Sequence, residues 1–487
     1  DALSQPLPDT RTNSSRRPIA EEPSATVSMI SLGCPRTLVD SELYLGRLAQ
    51  HGFRVVEDVD GSSAVVINTC SFIQESVKES IDTILQAVEL KKQGKVKAVV
   101  VAGCLVQRFK QELIKELPEV DGFFGVDGFG EIESVVQRAL QGAHPTSLRQ
   151  RPQVPHQGGT VARSPLTDSH YAYLKISEGC LKGCSFCIIP KIKGPLSSRP
   201  LEAVVEEATQ LVQERGIKEL IVVGQDTSDY GVDLYGQPRI AELLGRLSKV
   251  GGLRWIRLLY YHPRGITRDL IETIRDEPVI CKYLDMAIEH ADDAVLEKMN
   301  RGITQARLRQ IVHTLRDEIP GIALRTSVIT GFPGETEQAF ENLLGFLQEI
   351  QFERLGAFRY SREEGSASYR FADQVPADVT EARYDRLMRV QQEISAQVNA
   401  RWLGTTCDVL IDEADVSDPT VFLGRTKADC PEVDGIVFVH SQHPLAPGTF
   451  VPVKITDTYE YDLVGTVVDT CLPVSQLAGL RVNRPTG

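Results

Sequence analysis

No stretch of this 487-residue chain approaches the roughly 20 apolar residues that a membrane helix needs. A secretory signal is also lacking, so the cysteines are expected to live reduced, in the cytoplasm, rather than as disulfides. Basic charge is scarce: 53 Lys and Arg stand against 66 Asp and Glu. Proteins that grip RNA neutralise phosphates with Lys and Arg, so direct nucleic-acid binding is not expected. The deficit is steepest from Trp402 to Leu472, where twelve Asp and Glu face only Arg425, Lys427 and Lys454. Such a surface repels RNA and attracts a basic partner.

The length suits about three domains. Residues 1–26, rich in Pro, Ser and charge, are expected to be a disordered leader. They contain acidic residues, which transit peptides avoid. From 27 to 142, strand-like runs at Val27–Leu32, Ala64–Asn68 and Ala98–Ala102 alternate with helix-like segments at Val39–His51, Gln74–Lys92 and Val106–Leu117, the pattern of a small α/β sheet. Residues 143–170, rich in Pro, Gln, Gly and Ser, read as a linker. Between 171 and 400, strand-like runs recur after helices at Leu220–Val223, Trp255–Tyr260, Tyr283–Ile288, Ala323–Ile329 and Arg354–Tyr360, predicting a partial (β/α) barrel closed by a helix over Val379–Ala400. Short β-like runs over 401–475 predict a small antiparallel β-barrel, and 476–487 form a tail.

Ten cysteines are present, and six fall in two ordered sets. Cys180, Cys184 and Cys187 are spaced CxxxCxxC directly after the strand-like run Tyr171–Ser177. A zinc site would normally take four protein ligands and CxxC pairs. Three thiolates on one short loop can instead hold three irons of a cubane and leave the fourth open to a substrate or cofactor. Cys34, Cys70 and Cys104 each end a strand-like run that precedes a helix. The carboxyl ends of parallel strands share one edge of a sheet, so these three thiols converge and suit a second cluster with one iron uncovered. A single cysteine after a strand is usually a small buried residue; three at the same phase are not. Cys281, Cys407, Cys430 and Cys471 are scattered and read as structural.

The first spacing, with Phe186 before the third cysteine, resembles the radical S-adenosylmethionine (SAM) superfamily. Ser31-Leu32-Gly33-Cys34-Pro35-Arg36-Thr37-Leu38-Val39-Asp40-Ser41-Glu42 is similar to the signature of the RimO-type methylthiotransferases, and so are Phe186-Cys187-Ile188-Ile189-Pro190, Gly224-Gln225-Asp226-Thr227-Ser228 and the stretch from Gly424 to Gly435. The resemblance implies three parts: a methylthiotransferase domain, a radical-SAM partial barrel and a TRAM β-barrel. It implies two 4Fe–4S clusters, one on Cys180, Cys184 and Cys187 that cleaves SAM to a 5′-deoxyadenosyl radical, and an auxiliary one on Cys34, Cys70 and Cys104 that supplies sulfur. A second SAM is the methyl source. The implied product is a methylthio group on the β-carbon of an aspartate of ribosomal small-subunit protein S-twelve, a basic partner. A flavodoxin-like or ferredoxin-like protein is the implied reductant.

The resemblance also places Gly224, Gln225 and Asp226 at the SAM amino group, Gly331, Gly334 and Glu335 near its adenine side, and Phe186 over the cluster. Arg325 and Arg199 could meet carboxylates. Three departures stand out: Ala287-Ile288-Glu289-His290 in place of proline, leucine, glutamine, histidine; Lys193 in place of arginine; and Tyr261-His262-Pro263. They bear on substrate fit or SAM contacts. The other readings are a MiaB-like enzyme acting on isopentenyladenosine in tRNA and a non-catalytic iron–sulfur scaffold or electron carrier.

Overall fold

The computed structural model describes residues 25–126, 128–148, 162–167 and 170–468. The expected tail, Cys471 and nearly all of the expected leader lie outside them, as does the middle of the expected linker.

The first sheet has six strands: β1 (Thr26–Ser31), β2 (Arg54–Val55), β3 (Ala64–Thr69), β4 (Ala98–Gly103), β5 (Gly122–Phe124) and β6 (Thr146–Ser147). They pair in the order β2-β1-β3-β4-β5-β6, all parallel. β3 and β4 are buried at every residue, as near-continuous Val and Ala runs require when helices cover both faces. Those helices include α1 (Pro35–Gln50), α2 (Gln74–Lys92), α3 (Cys104–Glu116) and α4 (Ile132–Leu140). Pro35 opens α1, where its missing N–H costs nothing.

The second sheet is built from β7 (Tyr171–Lys175), β10 (Glu219–Val223), β11 (Trp255–Tyr261), β12 (Ile280–Met286), β13 (Ala323–Thr330) and β14 (Arg354–Arg359), while β8 (Ser177–Glu178) and β9 (Ser197–Ser198) form a two-stranded ribbon beside the cysteine loop. The order β14-β13-β12-β11-β10-β7 is all parallel and leaves β7 and β14 unpaired with each other, a partial barrel. Leu220, Val222, Ile256, Leu258, Leu284, Leu324 and Val328 pack outward under the helices. The residues between them point into the barrel.

The third unit is a closed barrel of β15 (Thr406–Ala414), β16 (Val421–Arg425), β17 (Val437–His440), β18 (Phe450–Thr458) and β19 (Leu463–Val467), in the order β15-β16-β17-β19-β18. Four pairings are antiparallel, as expected. β17 and β19 run parallel, because β18 crosses to pair with β15 before the chain returns.

The loop after β16 plugs the amino-terminal end of the partial barrel. Arg425 donates to Glu219 at 2.7 Å and to Asp412 at 2.7 Å. Arg257 donates to Glu219 at 2.9 Å and to the Lys427 carbonyl at 2.8 Å. Arg354 pairs with Asp429 at 2.5 Å, and the Tyr283 and Tyr171 hydroxyls donate to Asp434 at 2.7 Å and Glu432 at 2.9 Å. Trp255 meets Phe450 edge-on, ring centroids 4.9 Å apart. Asp412, Asp429, Glu432 and Asp434 therefore face the protein's own Arg, His and Tyr side chains. The acidic excess left for a partner is carried by residues such as Glu413, Asp418, Asp457 and Glu460, which are exposed.

Candidate functional site

β1, β3 and β4 are neighbours, so the residues that follow them sit side by side. Cys34 caps α1, Cys70 follows β3 and Cys104 opens α3. All three line one cavity of about 400 Å³. Gly33 has φ +95°, and a Cβ there would lie 2.6 Å from Cys70 Cβ, so only glycine lets the Cys34 turn approach Cys70. Burial pushes the thiols of Cys70 up and of Cys104 up to about 12. At Cys34 burial pushes the same way, but the Arg36 guanidinium, donating from Nε at 3.2 Å, and the backbone and hydroxyl of Thr37 together outweigh it and bring the thiol down to about 7.

Cys180, Cys184 and Cys187 stand on the loop after β8. Their sulfurs accept from the Lys182 N–H at 3.3 Å, Arg301 Nη1 at 3.2 Å and the Ile189 N–H at 3.4 Å, respectively. Burial raises Cys180 to about 11 and Cys187 to about 12, so ligation would have to displace protons. Among the described residues no three His, Cys, Asp or Glu side chains converge closely enough to hold a single metal ion.

Gly224, Gln225 and Asp226 follow β10. Gln225 Nε2 donates to Glu178, while its Oε1 is buried without a partner. Asp226 Oδ1 accepts the Ser228 N–H at 2.9 Å; Oδ2 has no hydrogen bond and lies 3.6 Å from Lys182 Nζ. Burial raises the Asp226 carboxyl. The hydroxyls of Ser177 and Ser228 are unsatisfied too. Buried acceptors are seldom left open, and this set fits a ligand that brings donors, such as the ammonium of SAM.

Glu289 sits at φ +68°, held by backbone bonds to Ser327 and Ile329. Its carboxylate has no hydrogen bond or ion pair among the described residues, burial raises its pKa, and its charge bears on Cys187. The departure thus lies beside the second thiol set. Lys193 lies instead on the other side, lining the cavity of Cys34, Cys70 and Cys104, with Nζ 3.6 Å from Asp40 and 3.4 Å from Glu178.

The Gly331–Glu335 turn is occupied by the protein itself. A Cβ on Gly331 would lie 2.1 Å from Thr380 Oγ1, and one on Gly334 2.0 Å from Lys298 Nζ. Glu335 accepts the Gly331 N–H at 3.1 Å and Arg383 Nη1 at 2.8 Å, and faces His290 Nε2 at 3.3 Å. It braces the turn. Phe186 packs with Val295, Met299, Ile329, Phe332 and Ala339. Arg325 lines the first cavity, while Arg199 is buried against Glu207 at 2.5 Å. Sequence reasoning missed Arg36 and Arg301. Arg36 could have been found from its place two residues after Cys34; Arg301, 117 residues from Cys184, had no local signal.

Comparison with known proteins gives the family of the chain. The chain matches the family model of the Radical SAM superfamily over residues 174–347, that of uncharacterized protein family UPF0004 over 26–125, and that of the TRAM domain over 403–468. A radical S-adenosylmethionine methyltransferase, TsrM from Kitasatospora setae, shares the fold over 69% of this chain and 72% of its own, with TM-score 0.50 at 15% identity. Ribosomal protein uS12 methylthiotransferase RimO of Caldanaerobacter subterraneus subsp. tengcongensis is 44% identical over 445 residues, 90% of this chain and 99% of that protein. The proteins of the same name from Clostridioides difficile and Geobacter sulfurreducens are 42% and 43% identical, each over 91% of this chain and 98% of the relative. The chain belongs to the RimO family of radical-SAM methylthiotransferases.

Proposed function

We propose that this enzyme adds a methylthio group to the β-carbon of an aspartate of ribosomal protein uS12. The observation that carries the reading is the meeting of two thiol sets: Arg36 donates both to Cys34 Sγ and, at 2.9 Å, to the carbonyl of Gly224, in the loop beside the second set. Cys180, Cys184 and Cys187 would hold one 4Fe–4S cluster, and Cys34, Cys70 and Cys104 the other. When bound, the clusters and SAM supply the electron, the hydrogen-abstracting radical, the sulfur and the methyl group.

The chain's own residues position and exclude. Gln225 Oε1 and Asp226 Oδ2 would accept from the SAM ammonium, and Glu289, whose charge bears on Cys187, would accept from a further donor of that ligand. Lys175, buried, pairs with Asp40 and with Glu178 at 2.9 Å, tying α1 to the barrel so that the two sites keep a fixed separation. Such chemistry loses rate steeply when the reacting atoms drift out of line. The plug on the barrel's far end keeps water from entering behind the substrate.

A flavodoxin-like or ferredoxin-like protein would deliver electrons. The exposed acids of the C-terminal barrel would meet the basic substrate protein. Among the described residues no helix is long and apolar enough to cross a membrane, and a ribosomal substrate would be met in the cytoplasm. The test offers purified uS12 and an isopentenylated tRNA to the reconstituted enzyme side by side. A methylthio mass gain on uS12 is expected; gain on the tRNA with none on the protein refutes the reading.

A further inference from the structure

Three cations line the cavity of Cys34, Cys70 and Cys104, and two of them are already matched by carboxylates. Lys193 faces Asp40 and Glu178. Arg325 donates to Asp285 at 3.0 Å and lies 3.3 Å from Asp434. Arg36 differs: among the described residues no carboxylate lies within the 4.0 Å of an ion pair. Its contacts are the Cys34 sulfur, the Gly224 carbonyl and the face of Tyr260, 4.6 Å from the ring centroid. Its Nη2 makes no hydrogen bond among the described residues.

A half-buried guanidinium with no carboxylate beside it keeps its charge uncompensated, and a fork with a donor to spare is the group that binds carboxylates side-on. Its position adds a second constraint. A substrate carbon that must be reached from both thiol sets has to lie where the sets meet, and Arg36 touches both neighbourhoods with a donor free. We propose that Arg36 receives the side-chain carboxylate of the substrate residue and so makes the enzyme select aspartate over its uncharged amide. This rests on the reading of an aspartate as the modified residue. The competing role, in which Arg36 only steadies the Cys34 sulfur, predicts no difference between acid and amide.

The experiment measures binding of two labelled peptides to reconstituted protein: one spanning the uS12 segment with its aspartate, the other with asparagine there. The wild-type protein should favour the acid by about tenfold to a hundredfold, the range of a hydrogen bond to a charged group. Arg36→Met should bring the ratio to about one, and Arg36→Lys should recover part of it. Because both peptides are measured on one preparation, any iron lost by a variant affects both alike. Equal binding of the peptides by the wild-type protein, or an undiminished ratio in Arg36→Met, overturns the proposal even if the acid peptide gains a methylthio group. No methylthio on that peptide, with gain on tRNA, overturns the underlying reading and this proposal with it.

Discussion

Replacing Glu219 with Gln tests the junction between the partial barrel and the C-terminal barrel. Glu219 is fully buried between Arg257 at 2.9 Å and Arg425 at 2.7 Å. Burial works to raise its carboxyl pKa, and the two guanidiniums lower it below the usual range. The amide keeps the shape and removes the charge, stranding two cations in a dry interior. Removing one partner of a buried pair costs about 3–5 kcal/mol. Urea unfolding followed by tryptophan fluorescence reads this directly, since Trp255 stands against Phe450 across the junction and the chain has only one other tryptophan, Trp402. With a slope of about 2–3 kcal/mol per M, the first transition should move down by about 1–2 M. Glu413→Gln, on the exposed surface of the same barrel, is the control and should stay within about 0.5 kcal/mol. A Glu219→Gln shift no larger than the control's would show that the arginines find other partners and that the junction does not depend on this charge.

Acid should weaken the fold through Glu207, which burial alone would raise but which Arg199 and Arg163 bring down from 4.5 to about 2. A carboxyl lowered in the folded state stabilises fully above its unfolded value and loses that contribution as pH falls toward the folded one. This is worth about 3 kcal/mol, and Glu207→Gln should flatten stability curves between about pH 5 and pH 2; an unchanged slope counts against the pairing. Cys184→Ala and the triple replacement of Cys34, Cys70 and Cys104 by Ala should each remove about half the iron of a reconstituted sample, and wild-type iron in the triple variant would exclude the second cluster. Asp226→Asn should weaken SAM binding by on the order of tenfold while keeping its iron; undiminished affinity would take Asp226 out of the SAM site.

What could be read from the chain followed the range over which each signal acts. α2 has the limits Gln74–Lys92 in both readings, because apolar periodicity is local. Cys34, Cys70 and Cys104 line one cavity because parallel strands share an edge, a rule that needs no contact information. β5 and β6, three and two residues long, and α4 are too short for a pattern to stand out, and Gly424 interrupts the run that became β16. Glu335 looked like a cofactor contact because a Gly-rich turn after a strand reads the same whether Thr380 or a ligand needs the room. The acidic C-terminal barrel showed its charge in the sequence but not its direction. Asp412 meets Arg425 and His170, and no local pattern tells such an acid from an exposed one.

The plugged barrel also bears on how the protein is made. Glu219 and Arg425 are separated by 206 residues, and synthesis runs from the amino end. Until the segment bearing Arg425 leaves the ribosome, the partial barrel exists with Glu219 short of one of its two arginines, Arg354 without Asp429 and its floor open. Cys430 and Val433, which line the cavity of the first thiol set, arrive with the same segment. The site is therefore completed last, by the part of the chain farthest from Cys34, and a ribosome stalled before that point would carry all six cluster-set cysteines but no finished chamber around them.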